Sequence, residues 1–60
     1  MRTFAATIYN LETGIRGWLT TDGELVTDIT GHRVATFTGR GKAEAALFAP
    51  EGYITDAILI

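Results

Sequence analysis

The last third of the chain, residues 41–60, holds the pattern that most restricts the fold. Residues 42–47 are mostly strong helix formers without a β-branched side chain, so they predict a short α-helix. We expect Pro50 to end this helix because it forces the preceding residue out of the helical region, and Gly52 to let the chain turn. A helix of about two turns is unstable alone, so the pattern requires a sheet for it to pack against.

The two ends of this stretch carry further expectations. Thr38 or Gly41 is placed to cap the N-terminus of the helix. The negative charge of Glu44 in the first turn would interact favourably with the positive end of the helix dipole. Residues 53–60 alternate with period two and are rich in β-branched side chains, which predicts a strand. Because both of its faces are apolar, we expect a central strand or one covered by a partner.

The first forty residues predict hairpins. Turn signals separate alternating segments, and the strongest of them is Asp22-Gly23. The fourth segment is either a separate strand or a continuation of the third, and the four cover residues 2–9, 15–20, 24–30 and 33–38. The sequence therefore predicts an α+β domain over residues 1–60, with a single antiparallel sheet of four to five strands and one short helix, in the order β-β-β-β-α-β.

Size and composition limit how such a domain is stabilised. A chain of 60 residues buries only about 60% of its unfolded surface, so its stability is marginal. There is no Cys and only one His, so we expect neither disulfides nor a metal site. Association with another chain is the remaining means of stabilising such a small domain. We expect a two-fold homodimer, joined by sheet edges or by the face that carries Trp18.

Charge and residue usage exclude several functions. The net charge of −2 gives no basic field for nucleic acid. No apolar run approaches the length of a membrane span and no signal peptide opens the chain, so we expect a cytoplasmic protein that binds no membrane. The chain contains neither Ser nor Cys, and a small sheet with one short helix rarely encloses a pocket. We therefore expect a protein that is not an enzyme, with no catalytic residue and no cofactor.

The alternation of the first two strands suggests a binding surface. If Phe4, Ala6, Ile8, Ile15 and Leu19 meet the helix, the residues between them point away from it, namely Thr7, Tyr9, Arg16, Trp18 and Thr20. Tyr, Trp and Arg are the residues most enriched among those that dominate binding energy at protein interfaces. We select Tyr9, Arg16 and Trp18 as partner-binding residues. The alternative is that Trp18 packs under a loop or across a dimer interface.

Three further features of the sequence could form sites. Basic residues at Arg33, Arg40 and Lys42 form an alternative nucleic-acid-binding set, but seven acids offset the five basic residues of the chain. The glycine-rich segment 38–42 could cradle a phosphate, but its spacing is not that of a P-loop, and a flexible loop explains it better. Asp56, among isoleucines, is either a buried acid or an edge residue that opposes aggregation or pairs with an arginine.

The residue types from Lys42 to Leu47, followed by Pro50, Gly52 and Tyr53, resemble the end of several small phage proteins. There a helix meets a turn with proline, glycine and an aromatic residue, and a final strand follows. The RNA-polymerase inhibitor of podophages is similar in this respect, and compact anti-CRISPR proteins share the strand–helix–strand plan. Residues 37–45 are also similar to the step into the helix of the N-terminal arms of phage integrases. The first resemblance implies a phage or mobile-element protein that acts in the host cytoplasm.

These observations lead to three hypotheses. The first is a non-enzymatic protein-binding module that inhibits or modulates a host protein or complex, such as a defence complex or RNA polymerase. The second is a small nucleic-acid-binding accessory protein. The third is a structural homo-oligomer with no separate ligand.

Overall fold

A computed structural model describes residues 2–60, and it confirms the predicted fold class. The chain forms a curled antiparallel sheet and one short helix in the order β-β-β-β-α-β. The elements are β1 (Phe4–Asn10), β2 (Arg16–Leu19), β3 (Leu25–Val26), β4 (Thr36–Phe37), α1 (Arg40–Ala45) and β5 (Tyr53–Leu59).

Strand β1 is the centre of the sheet. β5 pairs with all seven residues of β1, from Phe4 opposite Leu59 to Asn10 opposite Tyr53. β2 and β4 pair with different parts of β1, and β3 pairs with β2. Since β5 takes one edge of β1 along its whole length, β2 and β4 share the other edge. A central position for the final strand is therefore wrong: β5 pairs only with β1 among residues 2–60, and its apolar residues belong to an edge strand. The other expectation, that a partner covers this strand, stays a prediction.

The first two turns follow the chemistry of their residues. Asn10 ends β1, and its Oδ1 accepts hydrogen bonds from the backbone N–H groups of Glu12 and Thr13 at 2.9 and 3.2 Å. The second turn places Gly23 at φ 84°, which is the left-handed region that glycine adopts without strain. The Gly23 N–H donates to the carbonyl of Thr20 at 3.0 Å, so the hairpin closes where the Asp-Gly pair predicts it.

The predicted third strand is much shorter than its alternating pattern suggests. Only Leu25–Val26 pair with β2. Asp28 accepts a hydrogen bond from the N–H of Thr30 at 2.9 Å, and this bond lowers the pKa of the Asp28 carboxyl. The local turn competes with strand pairing, so the chain leaves the sheet after Val26. It returns as the two-residue strand β4, where 33–38 was predicted.

The helix begins and ends earlier than predicted. Gly39 is the N-cap, so Gly41 lies inside the helix and neither predicted cap is used. The first turn contains no acid, so the expected position of Glu44 is wrong. The helix ends at the cap residue Ala46, four residues before Pro50. Pro50 instead accepts a hydrogen bond from the Tyr53 N–H at 3.0 Å, in the turn that leads into β5.

Helix α1 packs on one face of the sheet, which we call the helix face. The buried core there consists of Phe4, Ala6, Ala43 and Ala57, and it is bordered by Leu19, Phe37 and Leu47. Alanines on both sides let the helix approach the sheet closely. Ile8 and Ile15 were also expected to meet the helix. This is wrong, because neither belongs to the core and Ile15 is 54% exposed.

The dimensions of the two elements explain this gap. Six helical residues rise about 9 Å, whereas the seven residues of β1 extend over about 23 Å. The helix therefore covers the end of the sheet near Phe4 and Ala6 and leaves the end near Ile8 open. The helix face thus has a covered half near Phe4 and Ala6 and an uncovered half near Ile8.

The close approach of helix and sheet can be tested at Ala43, which is 1% exposed. We expect Ala43→Leu to lower the free energy of unfolding by about 1–3 kcal/mol, because three further carbon atoms overpack the core. Ala45→Leu is the control, since Ala45 lies on the same helix but is exposed. Urea denaturation should show a large difference between the two variants. Equal midpoints would contradict the packing described.

Candidate functional site

The structure brings Tyr9, Arg16 and Trp18 together on the face opposite α1, which we call the open face. Tyr9 lies directly opposite Arg16, and Thr7 lies opposite Trp18, in the β1–β2 pair. Directly paired residues of antiparallel strands share a face, so these side chains form one patch. Tyr9, Arg16 and Trp18 are each half-buried, with part of the side chain open to a partner.

A hydrogen-bond network in the middle of this patch orients Arg16. The Thr7 hydroxyl, which is fully buried, donates to the carbonyl of Asp56 at 2.9 Å and accepts from Nη1 of Arg16 at 3.0 Å. Nη1 also lies 3.5 Å from Oδ2 of Asp56. Because both side chains are partly exposed, this ion pair contributes only about 0–1 kcal/mol to stability. Its main consequence is a fixed direction for the guanidinium.

Arg16 also lies over Tyr9, with its guanidinium carbon 5.2 Å from the ring centroid. This cation–π contact holds the ring and the charge as one unit. Within residues 2–60, the hydrogen bonds of the guanidinium use Nη1. Its other N–H groups make no hydrogen bond to any described residue and can donate to a carboxylate or carbonyl of a partner.

The register adds neighbours that alternation alone did not assign to this patch. Val26 is paired with Trp18, and Ile54 is paired with Tyr9. Ile54 is 46% exposed, so it extends the patch with apolar surface. The sequence showed that Ile54 shares a strand face with Asp56, but only the pairing of β1 with β5 places that face beside Tyr9.

Two threonines expected to point outward with this patch are buried. Thr7 is 0% exposed and Thr20 is 4% exposed. Thr7 sits in the central strand between Trp18 and Asp56, so the longer side chains of both neighbours cover it. Thr20 accepts a hydrogen bond from the Glu24 N–H at 3.2 Å and pairs with Val34, so it closes a turn.

Asp56 lies on the edge strand and pairs with an arginine, and it is not a buried acid. Its Oδ1 also accepts a hydrogen bond from the N–H of Ala57 at 2.9 Å. The carbonyl of Ala57 accepts a hydrogen bond from Nη1 of Arg40 at 3.2 Å. The backbone groups in the middle of this edge are therefore already bonded to side chains of the same chain, which opposes the addition of another strand there.

The basic residues of the alternative site lie on different elements. Arg33 precedes β4, and its carbonyl accepts a hydrogen bond from the Thr21 N–H at 2.9 Å. Arg40 begins α1, where it binds the Ala57 carbonyl and lies 5.0 Å from the centroid of the Phe4 ring. Lys42 is exposed on the same helix. Arg40 thus has a structural role that accounts for its position.

The uncovered half of the helix face forms an apolar groove of about 270 Å³. Its floor is Ile8 beside Gly17, and a Cβ added to Gly17 would lie 3.3 Å from Cγ2 of Ile8. The groove is lined by Ile8, Asn10, Thr13, Ile15, Gly17, Leu25, Thr27 and Tyr53. Sequence reasoning missed this groove because its depth depends on a glycine standing opposite an isoleucine across the β1–β2 pair.

Across residues 2–60, no three His, Asp or Glu side chains lie close enough together to hold a metal ion. No helix of the described chain has the length and apolar character needed to cross a bilayer.

The fold and the patch define a small α+β protein with a half-covered sheet. Comparison with protein-family models, curated proteins and solved structures found no match for this chain. The resemblance to small phage inhibitors therefore stays a prediction.

The network around Thr7 gives a second testable prediction. Thr7→Val keeps the shape of the side chain but removes the hydroxyl, so the Asp56 carbonyl loses a donor and Arg16 an acceptor. We expect a loss of about 1–3 kcal/mol in the free energy of unfolding. Thr36→Val is the control, because Thr36 is an exposed strand residue. Denaturation of both variants would test this, and equal stability would show that the network contributes nothing.

Proposed function

We propose that this protein is a non-enzymatic protein-binding module that contacts its partner through the open face. The observation that carries the proposal is the patch of Tyr9, Arg16 and Trp18, fixed by the Thr7–Arg16–Asp56 network. Aromatic residues and arginine are enriched among interface hot spots. Because Arg16 is already held in place, its side chain loses little entropy when a partner binds it.

The neighbouring residues support a protein partner of mixed chemistry. Ile54 and Val26 offer apolar contacts at either side of the patch, while Arg16 offers N–H donors near its middle. A partner surface with an exposed carboxylate beside an apolar residue would match this arrangement. The expected action on a host protein or complex, the phage origin and the cytoplasmic location stay predictions, since the patch supports binding without indicating a target.

The experiment is a capture from lysate of the organism that carries the sequence, after nuclease treatment. Immobilised wild type is compared with Trp18→Ala and with Ile54→Lys, and retained proteins are quantified by mass spectrometry. Ile54→Lys provides a variant that spares the fold, because the Ile54 side chain is 46% exposed. We expect both substitutions to weaken binding of the retained protein by about tenfold or more, measured by calorimetry with that protein purified.

Phe48→Ala is the matched control for this capture. Phe48 is 86% exposed and lies outside the open face, so its removal should leave partner binding unchanged. A retained protein that binds the Trp18→Ala and Ile54→Lys variants as well as wild type would refute the open face as the binding surface. Capture of no protein in a saturable manner would refute the binding function.

The nucleic-acid alternative leads to a separate prediction. A protein that used Arg33, Arg40 and Lys42 on phosphates would lose affinity steeply as salt rises. With a net charge of −2 and Arg40 bonded to Ala57, we expect no measurable binding to duplex DNA at physiological salt. Fluorescence anisotropy with labelled duplex would check this. Submicromolar, salt-sensitive binding that is removed by charge reversal at the three residues would favour the alternative.

A further inference from the structure

The free edge of β5 presents the backbone groups of alternate residues. At one end of the strand the N–H of Ile60 donates to the carbonyl of Thr3 at 3.0 Å. At the other end the carbonyl of Gly52 accepts from the N–H of Leu11 at 2.9 Å. Successive residues of a strand direct their backbone groups to opposite edges, so the even-numbered residues of β5 face β1. The odd-numbered residues beyond the turn point away from the sheet, namely Thr55, Ala57 and Leu59.

The middle one of these three residues has both of its backbone groups occupied. The N–H of Ala57 donates to Oδ1 of Asp56 at 2.9 Å, and its carbonyl accepts from Nη1 of Arg40 at 3.2 Å. Asp56 shares the open face with Thr7, whereas Arg40 reaches the strand from α1 on the helix face. The guanidinium carbon of Arg40 also lies 5.0 Å from the centroid of the Phe4 ring, which holds it over the sheet. We call Arg40 and Asp56 the edge clamp.

The two residues on either side of Ala57 are not held in this way. Within residues 2–60, the outward backbone groups of Thr55 and Leu59 make no hydrogen bond. A strand added to this edge would therefore gain hydrogen bonds at its two ends. At Ala57 it would first have to displace Asp56 and Arg40, so it would break as many hydrogen bonds there as it makes. Because both displaced groups are charged, the bonds that it breaks are of the stronger kind.

A second copy of β5 matches this edge in a single two-fold register. When two antiparallel copies pair with Ala57 opposite Ala57, Thr55 of each copy lies opposite Leu59 of the other. This register uses every outward N–H and C=O group of the three residues, and any shift leaves some of them unpaired. The edge clamp lies at the centre of the register, where its two bonds block the arrangement that would satisfy the whole edge.

We propose that the edge clamp is an autoinhibitory contact that keeps β5 closed to a second copy of the chain. Release of the clamp lets β5 pair with β5 of the second copy about the axis at Ala57. Arg40 is the first residue of α1, so its grip on the strand depends on the docked helix. Movement of α1 away from the sheet would withdraw Arg40 and open the edge. Of the sheet edges considered for a homodimer, this one is then closed in the wild-type chain.

Sedimentation equilibrium over a concentration series tests the clamp at Arg40. Arg40→Met removes the donor to Ala57 but keeps an unbranched stem beside Phe4. Loss of a charged hydrogen bond changes an equilibrium by about tenfold or more, so we expect this variant to associate at concentrations lower than wild type by that factor. Lys42→Met is the matched control, because it removes the same charge from an exposed position of the same helix. It should associate no more than wild type.

Nuclear magnetic resonance distinguishes pairing through β5 from any other association. In the two-fold register Asp56 lies opposite Ile58 of the second copy as a non-hydrogen-bonded pair, in which the Cα atoms are about 4.5 Å apart. A mixture of labelled and unlabelled Arg40→Met should therefore show a nuclear Overhauser effect between the Hα atoms of these two residues in different copies. Wild type and Lys42→Met at the same concentration should not show it.

The other half of the clamp is tested by a pair of variants at Asp56. Asp56→Asn keeps an oxygen that can accept from the Ala57 N–H, so we expect the edge to stay closed. Asp56→Ala removes the acceptor and should give self-association with the same contact between copies. Both variants lose the ion pair with Arg16, so the difference between them reports on the clamp alone. This comparison also decides the matter if Arg40→Met fails to unfold cooperatively in dilute solution.

Three results would overturn the inference. They are an Arg40→Met variant that folds but associates no more than Lys42→Met, association without the contact between Asp56 and Ile58, and that contact in wild type. Equal behaviour of Asp56→Ala and Asp56→Asn would count against it in the same way. The proposed function fails separately, because it depends on Trp18 and Ile54, and neither residue belongs to the edge clamp.

Discussion

The structure depends on a mismatch of length between α1 and the strand beneath it. A six-residue helix covers about 9 Å of a strand that extends over about 23 Å, so only the end near Phe4 and Ala6 is sealed. The covered half of the helix face supplies the core, and its uncovered half forms the groove around Ile8. Because the helix ends at Ala46, four residues before the proline, the chain has no further turn with which to cover the rest. The position at which the helix ends thus decides which part of the helix face is covered and which part is exposed.

Small residues of the central strand β1 also determine how side chains are arranged on the open face. Ala5 and Thr7 are small and fully buried, since larger side chains of the neighbouring strands close over them. Arg16 can reach Asp56 across β1 only because Thr7 lies between them and binds both residues. A larger residue at this position would separate the arginine from the acid. The direction of Arg16, and with it the stacking on Tyr9, therefore follows from a small residue in the middle strand.

Local chemistry was predictable from the sequence, and features that depend on pairing were not. The Asp22-Gly23 turn, the fold class and the shared face of Tyr9, Arg16 and Trp18 follow from turn residues and period two. The third strand was overpredicted because the alternation through residue 30 does not reveal that Asp28 binds the Thr30 backbone. The position of β5 at an edge depends on a register that period two cannot supply. The groove was missed for the same reason, because it exists only where Gly17 lies opposite Ile8.

The bonding of Ala57 has a consequence for how this protein can change over time. Its N–H is held by Asp56 and its carbonyl by Arg40, so a partner cannot simply continue the sheet at that point. The proposed recognition of a partner would then depend on side chains, which carry sequence information that a backbone ladder does not. Tyr9, Arg16 and Trp18 contribute little to the buried core, so substitutions there alter the surface while the strand pairing stays intact. A few exchanges on this face could therefore redirect the proposed partner binding without any change to the backbone.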